Sequence, residues 1–232
     1  MKDDELRLRE AIIEQCLFMN SSGLNHGTSG NISVRFGDSM LITPSAVPYD
    51  KMTAEMIAVM PFEAAYGTWA GPLKPSTEWR FHFDILKGRG DTGAVVHAHP
   101  TYCTALAIAH REIPAAHYMV AAFGGDNVRC APYARYGTPE LSEFALEALK
   151  NRTACLLANH GSIAIGEDLD KAMWRAVELE TLARQYYLAL ALGPVLLSDK
   201  QIVETLEGFS SYGMQDDHKK VASNKMRRKK GN

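Results

Sequence analysis

The sequence predicts a single-domain, layered α/β fold in which helices cover a central, mainly antiparallel or mixed sheet. Segments with helical spacing alternate with short apolar or β-branched runs along the 232 residues, which is typical of layered α/β proteins. Two pairs of these runs, at 31–43 and 154–165, are joined by tight-turn sequences. Such pairs form antiparallel hairpins, so a doubly wound parallel sheet is disfavoured.

The N-terminal part begins with a predicted helix and hairpin. Leu6 to Met19 has apolar residues at helical spacing, and Gly23 stands where a C-terminal cap would end the helix. HGTSGNISVRF passes from small polar residues into β-branched alternation, and MLITP completes the hairpin. We expect the small polar loop before this strand to cradle an anion. Residues 63–75, rich in Gly, Pro and Ala, predict a connection.

The middle of the chain predicts a helix, a buried strand and a second helix. Ser76 or Thr77 can cap the helix TEWRFHFDILKGRG, which should end at Gly88 or Gly90. AVVHAH is typical of a buried strand. Pro100 suits the first turn of the helix TYCTALAIAHR that follows.

The last part predicts a helix, a hairpin and two further helices. TPELSEFALEALKN again has a proline where a predicted helix begins. ACLLANH and SIAIG predict two strands around a tight turn at Gly161. Leu169 to Leu192 predicts a long amphipathic helix. Ser198 and Gln201 form a capping box for the last helix.

Charge and cysteine usage limit the class of protein. Seven of the 25 basic residues lie between Lys219 and Lys230, so the rest of the chain is acidic and a nucleic-acid partner is disfavoured. We expect residues 1–213 to form one domain and 214–232 a basic, disordered tail. Four scattered cysteines without a C-x-x-C pair, an acidic N-terminus and no long apolar stretch predict a cytoplasmic protein without a membrane span.

Four side chains predict a metal site. On a strand, residues i and i+2 share a face, so His97 and His99 project together. His160 ends another apolar strand, and Glu78 opens a helix with its carboxylate free. Three imidazoles and one carboxylate suit Zn²⁺ and are acceptable to other first-row divalent ions. The remaining histidines form no comparable group, and for His82, His110 and His218 packing or solvent exposure is favoured.

The motifs together resemble the class II aldolase/adducin family, in its L-fuculose-1-phosphate aldolase branch. The resemblance runs from about Glu5 to Gly213 through GTSGNISVRF, MLITPSAVPYDKMT, KPSTEWRFHFDIL, AVVHAHPTYCTALAIAHREIPAAHYMVAAFGG, CAPYARYGT, NHGSIAIG and SSYG. It implies zinc bound by Glu78, His97, His99 and His160 and cleavage of a ketose 1-phosphate. The products would be dihydroxyacetone phosphate and a short aldehyde such as L-lactaldehyde.

The resemblance also assigns residues to the substrate. It implies a phosphate pocket, a proton donor at Tyr118 from a neighbouring subunit of a homotetramer, and Glu78 as the acid/base at the carbanion carbon. Tyr212 would cover the site and Tyr136 would line the aldehyde pocket. The implied phosphate ligands are Thr28, Gly30, Asn31, Ser45, Ala46, Ser76 and Thr77.

Two positions depart from the branch pattern. Ser45-Ala46 follows Thr43-Pro44 where Thr-Gly is usual, and Ala158-Asn159 precedes His160 where Gln-His is often found. Ser45 keeps a hydroxyl, whereas Ala46 restricts φ compared with glycine. Neither departure changes a predicted metal ligand, so both bear on the sugar more than on the reaction type.

Several alternatives remain open at this stage. A Schiff-base lysine is disfavoured because Lys74, Lys87 and Lys171 stand near polar or loop segments. Salvage aldolases for 5-deoxyribulose or 5-methylthioribulose 1-phosphate would share the same residues. Related L-ribulose-5-phosphate 4-epimerases usually carry Asp at position 78, and the non-enzymatic adducin branch lacks an intact metal set.

Overall fold

A seven-stranded sheet forms the centre of the computed structural model, which describes residues 3–209. The strand order is β3-β2-β1-β4-β7-β6-β5, and all neighbours are antiparallel except β5 and β6. The predicted mixed, mainly antiparallel sheet is therefore confirmed. The strands are β1 Asn31–Phe36, β2 Ser39–Ile42, β3 Ala58–Pro61, β4 Ala94–Ala98, β5 Cys130–Ala131, β6 Ala154–Leu157 and β7 Gly161–Gly166.

Helices cover both faces of this sheet. Buried side chains of α2 and α4 share one core with one set of strand residues, while those of α1, α3, α5 and α6 share a second core with the other set. The strands divide as strand periodicity requires, since Val95 belongs to the first core and Val96 to the second. The helices are α1 Asp3–Ser21, α2 Trp79–Gly88, α3 Thr101–Ile108, α4 Pro139–Ala148, α5 Leu169–Ala189 and α6 Asp199–Phe209.

Local signals that act within a few residues are confirmed. Both predicted hairpins form, as β1 with β2 and β6 with β7. The Thr138 side chain accepts from Leu141 N at the start of α4, and Ser198 and Gln201 exchange the two bonds of a capping box before α6. Between residues 3 and 209, no helix is long and apolar enough to span a bilayer.

The predicted start of α2 is wrong. Glu78, rather than Ser76 or Thr77, occupies the N-cap of α2, and it makes no side-chain capping bond. Ser76 Oγ instead accepts from Glu78 N at 3.2 Å, so the hydroxyl orders the turn that precedes the helix. The predicted start of α3 is confirmed, since the helix begins at Thr101 with Pro100 as its N-cap.

The predicted role of Gly161 is also wrong. Gly161 is the first residue of β7, and the residue with a left-handed backbone in the preceding turn is Asn159, at φ 54°. A Cβ on Gly161 would lie 2.6 Å from both Ala98 O and His99 Cδ2. Glycine is therefore required for the close approach of β7 to β4 and not for a turn.

The basic tail predicted for residues 214–232 lies outside the described residues, as does His218. Five described elements have no counterpart in the sequence prediction: β3 with four residues, β5 with two, and the 3₁₀ helices at 49–51, 54–56 and 118–123. Segments this short carry too few residues for a periodic pattern.

We expect Gly161→Ala to lower the free energy of unfolding by roughly 1 to 3 kcal/mol, because overpacking a tight contact has that cost. Gly88→Ala is the matched control, since a Cβ there meets nothing within 4 Å and the residue ends α2. Urea denaturation of both variants measures the difference. Equal midpoints for Gly161→Ala and the wild-type protein would contradict the close-approach explanation.

Candidate metal centre

Three histidines converge at one end of the paired strands β4 and β7. His97 is the fourth residue of β4, His99 follows the strand, and His160 immediately precedes β7. The ring centroids are 4.8 Å apart for His97 and His99, 4.8 Å for His97 and His160, and 5.0 Å for His99 and His160. Their ligating nitrogens all lie within 4.8 Å of one another, so one cation can contact all three.

The tautomer of His97 follows from its backbone partner. His97 Nδ1 lies 2.9 Å from Ser162 O, and since a carbonyl only accepts, Nδ1 carries the proton and donates it. In the neutral ring, Nε2 then keeps its lone pair. A backbone carbonyl that holds the other ring nitrogen is the usual way to orient a metal-ligating imidazole.

Glu78 completes the cluster from the N-terminus of α2. Its Oε2 lies 3.2 Å from His97 Nε2 and its Oε1 lies 3.0 Å from His160 Nε2. Burial favours the neutral acid, but the proximity of the His97 and His160 imidazoles outweighs it and holds the pKa of Glu78 far below its usual range. The carboxylate is therefore ionised and lies at the centre of the imidazoles.

His99 is neutral near pH 7. Burial, followed by the repulsion of His97 and His160, lowers the pKa of His99 to about 3. A neutral imidazole is the form that binds metal ions, so little proton competition is expected at this ligand.

The donor set fits a divalent first-row metal. It consists of three imidazole nitrogens and one ionised carboxylate, a combination of borderline softness. Glu78 Oε1 is buried and accepts no hydrogen bond of suitable geometry, despite the nearby His160. A buried carboxylate oxygen without a donor is costly, and a cation would satisfy it.

His99, His160 and Glu78 face an open cavity of about 340 Å³, and His97 lies buried behind them. Tyr136, predicted to line an aldehyde pocket, borders this cavity, and Tyr133 was not predicted. Thr77 is on the same wall. The lining residues are Thr77, Glu78, His99, Tyr133, Ala134, Tyr136, Asn159 and His160.

The segments predicted to bind phosphate lie side by side. An isolated bridge pairs Pro44 with Pro75, and Ile32 N donates to Thr43 Oγ1 at 3.3 Å. The chain around residues 43–46 therefore lies between the start of β1 and the turn before α2. Thr28 is exposed and Gly30 is buried at the β1 end of this group.

Some of the expected backbone donors in these segments are already engaged. Ser45 N donates to Lys74 O at 3.0 Å, and Ser76 N donates to Thr43 O at 2.9 Å. Ser45 and Ser76 could therefore offer an anion their hydroxyls rather than their N–H groups. Ala46 is exposed at φ 57°, a left-handed conformation that glycine adopts more readily.

Asn31 is directed at Glu78. Its Nδ2 donates to Glu78 Oε2 at 2.8 Å, and its Oδ1 lies 2.5 Å from His82 Nε2. His82 is fully buried, with Nδ1 2.7 Å from Ser33 Oγ, and burial lowers its pKa to about 3. Packing was the favoured interpretation of His82, but sequence reasoning missed its contact with the site, since nothing in the spacing of these residues indicates it.

Hydrogen bonds hold both ends of α3, the helix that follows His99. Glu180 of α5 accepts from Tyr102 N and Cys103 N, both at 2.9 Å, at the helix start just after His99. At the other end, Asn159 N donates to Ala107 O at 3.1 Å. Sequence reasoning did not identify Glu180, since an acidic residue on an amphipathic helix gives no signal of a distant partner.

The exposed His110 also contacts this turn. Its Nε2 lies 2.5 Å from Asn159 Oδ1, next to His160. Tyr118, predicted to act in the site of a neighbouring subunit, does not line the cavity of this chain; it is 44% exposed and packs against His117. Tyr212, predicted to cover the site, lies outside the described residues.

Comparison with known proteins gives consistent matches. The family model "Class II Aldolase and Adducin N-terminal domain" matches residues 10–187. An L-fuculose phosphate aldolase of Escherichia coli (strain K12) is 49% identical over 211 residues, which cover 90% of this chain and 97% of the relative. A 5-methylthioribulose-1-phosphate/5-deoxyribulose-1-phosphate aldolase of Rhodospirillum rubrum is 47% identical and covers 92% and 96%.

Solved structures agree with this result. The chain superposes on an L-fuculose 1-phosphate aldolase with a TM-score of 0.84 and 36% identity, covering 90% of this chain and 98% of the other. An l-fuculose-1-phosphate aldolase from Thermus thermophilus matches with a TM-score of 0.69 and 28% identity, covering 82% and 99%. The mixed sheet and its helices are thus shared over most of the chain.

Replacing His97, His99 or His160 by Ala removes a proposed direct ligand. The affinity for a divalent metal should therefore fall by more than 10- to 100-fold, the loss that is typical when only a hydrogen-bond partner of a ligand is removed. Elemental analysis after dialysis against Zn²⁺ measures this. His117→Asn is the control, because it keeps an acceptor for Met119 N and lies outside the cluster. Wild-type metal content in any of the three Ala variants would remove that histidine from the site.

Proposed function

The chain belongs to the class II aldolase and adducin family, and from this membership we propose that it is a metal-dependent aldolase acting on a sugar phosphate. It would reversibly cleave a ketose 1-phosphate of the L-fuculose 1-phosphate type into dihydroxyacetone phosphate and a short aldehyde such as L-lactaldehyde. The observation that carries the proposal is the convergence of three histidines and an ionised carboxylate at an open cavity.

The proposed ligands of one Zn²⁺ per subunit are Glu78, His97, His99 and His160. Bound there, zinc would supply a Lewis acid that stabilises the negative charge developing on the substrate oxygens as the carbon–carbon bond breaks. The His97 ring, held by Ser162 O, keeps its Nε2 directed at this position. Other first-row divalent ions suit the same donor set.

Glu78 is the proposed acid/base. In the direction of synthesis, the Glu78 carboxylate would remove a proton from the carbon of the three-carbon fragment. In cleavage, the electron pair of the broken bond stays on that carbon, and Glu78, after taking up a proton from the solvent, returns it there. A carboxylate held between two imidazoles is a poor base, because these neighbours lower its pKa. Movement away from them raises the pKa toward a useful value when substrate is bound.

The phosphate would be bound without a basic side chain. Small hydroxyls and remaining backbone N–H groups bind anions well beside a helix N-terminus, and α2 begins at this position. The adjacency of residues 43–46 to 75 and to β1 supports the proposal. The proposed phosphate ligands are Thr28, Gly30, Asn31, Ser45, Ala46, Ser76 and Thr77.

Tyr118 would exchange a proton with the oxygen of the aldehyde fragment. We propose that it acts in the site of a neighbouring subunit of a homotetramer, and its exposed side chain supports this arrangement. Tyr136 would line the aldehyde end, where it borders the cavity, and Tyr212 would cover it. Residues 1–213 would form the catalytic domain, followed by the basic tail.

A salvage aldolase is the second candidate. The Rhodospirillum rubrum relative, named for 5-methylthioribulose and 5-deoxyribulose 1-phosphates, is nearly as similar as the Escherichia coli relative. These substrates differ at the aldehyde end, near Tyr133 and Tyr136. A 4-epimerase is less favoured because Glu occupies position 78. Four free cysteines support a cytoplasmic location.

The purified protein should release dihydroxyacetone phosphate from at least one ketose 1-phosphate when zinc is present. A coupled assay on L-fuculose, 5-deoxyribulose and 5-methylthioribulose 1-phosphates measures the common product. The ratio of kcat/KM values ranks the two candidate functions. Zinc-loaded protein that releases no product from any of them would sink the aldolase proposal.

Tyr118→Phe should lower kcat by roughly 10²- to 10⁴-fold, the usual contribution of a general acid or base, and leave the metal content unchanged. Mixing it with Glu78→Gln tests the subunit arrangement. After subunit exchange in an equal mixture, about a quarter of the sites in a symmetric ring would combine an intact Glu78 with an intact Tyr118 from the neighbour. Activity that stays at the level of the separate variants would argue against a shared site.

A further inference from the structure

A chain of buried hydrogen bonds lies behind the candidate metal centre. Glu78 Oε2 accepts from Asn31 Nδ2 at 2.8 Å, Asn31 Oδ1 lies 2.5 Å from His82 Nε2, and His82 Nδ1 lies 2.7 Å from Ser33 Oγ. All four side chains are buried. Only Glu78 borders the cavity, so His82 and Ser33 can act on the metal centre only through Asn31 and Glu78.

The orientation of the Asn31 amide determines where the protons of this chain lie. Its NH₂ group donates to Glu78 Oε2 at 2.8 Å, so its oxygen is turned toward His82 Nε2, 2.5 Å away. That oxygen needs a donor, which places a proton on His82 Nε2. The neutral ring then has a lone pair on Nδ1, and this lone pair accepts from the Ser33 hydroxyl.

The opposite orientation of the Asn31 amide is unfavourable. It would place the amide oxygen against Glu78 Oε2, two buried acceptors without a proton between them, at a cost typical of unpaired polar groups. The His82 ring cannot easily turn to accommodate it, because Phe81 stacks on it with centroids 4.7 Å apart at 25°. Phe81 also packs edge-on against His97, at 5.3 Å.

We infer that His82 is a positioning residue that fixes the amide of Asn31 and thereby gives the two oxygens of Glu78 different roles. Oε2 is held by Asn31, whereas Oε1, which accepts no hydrogen bond of good geometry, faces His160 and remains available for a cation or a proton. The effect on turnover rests on the proposed function. The effect on metal affinity depends only on the geometry of the cluster.

Two substitutions at position 82 distinguish the roles of the two ring nitrogens. The amide nitrogen of His82→Gln reaches about as far as Nε2 and can still donate to Asn31. His82→Asn reaches only as far as Nδ1, so it can contact Ser33 but leaves Asn31 without its donor. If His82 contributed only packing, both variants would bind Zn²⁺ more weakly. If His82 positions Asn31, only the Asn variant should bind Zn²⁺ more weakly.

The Zn²⁺ dissociation constant, measured by competition with a chromophoric chelator, should rise roughly tenfold in His82→Asn, the lower end of the range for outer partners of ligands. In His82→Gln the Zn²⁺ dissociation constant should stay within about threefold of the wild-type value, because the donor to Asn31 is kept. If the protein is an aldolase, kcat should fall in parallel in the Asn variant, with a smaller change in KM. Ser33→Ala is a milder variant, with a smaller change in the same direction, should His82→Asn not fold.

A double-mutant cycle tests whether His82 acts through Asn31. The combination of His82→Asn with Asn31→Ala should bind Zn²⁺ no more weakly than Asn31→Ala alone, because the mediating amide is already absent. Additive losses, or equal losses in the Gln and Asn variants, would overturn the inference. A wild-type protein that cleaves no ketose 1-phosphate would refute the proposed function but leave the metal-affinity comparison decisive for His82.

Discussion

The antiparallel pairing of β4 with β7 is the constraint on which the candidate site depends. It places His97 opposite Ile163 and Ala98 opposite Ser162, so the end of one strand and the beginning of the other deliver imidazoles to one place. The same pairing brings Ser162 O to His97 Nδ1. Because Gly161 has no Cβ, the two backbones can approach at the level of His99. The register of this strand pair therefore determines the orientation of the ligands.

The buried carboxylate of Glu78 lies close to this strand pair, and no Lys or Arg among the described residues forms an ion pair with it. Glu78 is buried and ionised, yet its neighbours are imidazoles and the amide of Asn31. A buried carboxylate of this kind favours a cation, and the orphaned oxygen indicates where one contact is missing. The chain belongs to the class II aldolase family, and aldol cleavage leaves negative charge next to a carbonyl group. A cation bound at this position would stabilise that charge.

Sequence reasoning succeeds where the physical signal is local. Alternation and turn residues are enough to predict both hairpins, and a serine three residues before a glutamine predicts the capping box at Ser198. It fails where the signal comes from distant segments: Gly161 is required by Ala98 O in another strand. The H-x-H motif carries its own geometry through strand periodicity, whereas the proximity of Glu78 and His160 depends on the sheet order. Tyr118 would act across subunits, beyond what one chain displays.

The attachment of α3 at both ends has a consequence for how the protein opens. Glu180 holds the start of this eight-residue helix just beyond His99, and Ala107 O and His110 hold Asn159 just before His160. A displacement of α3 as a rigid body carries both segments together and preserves their separation. Unfolding of α3 would instead remove both contacts together, because this one helix supplies them. Opening by this route would loosen the segments that carry His99 and His160, whereas His97 would stay held by Ser162 O within the sheet.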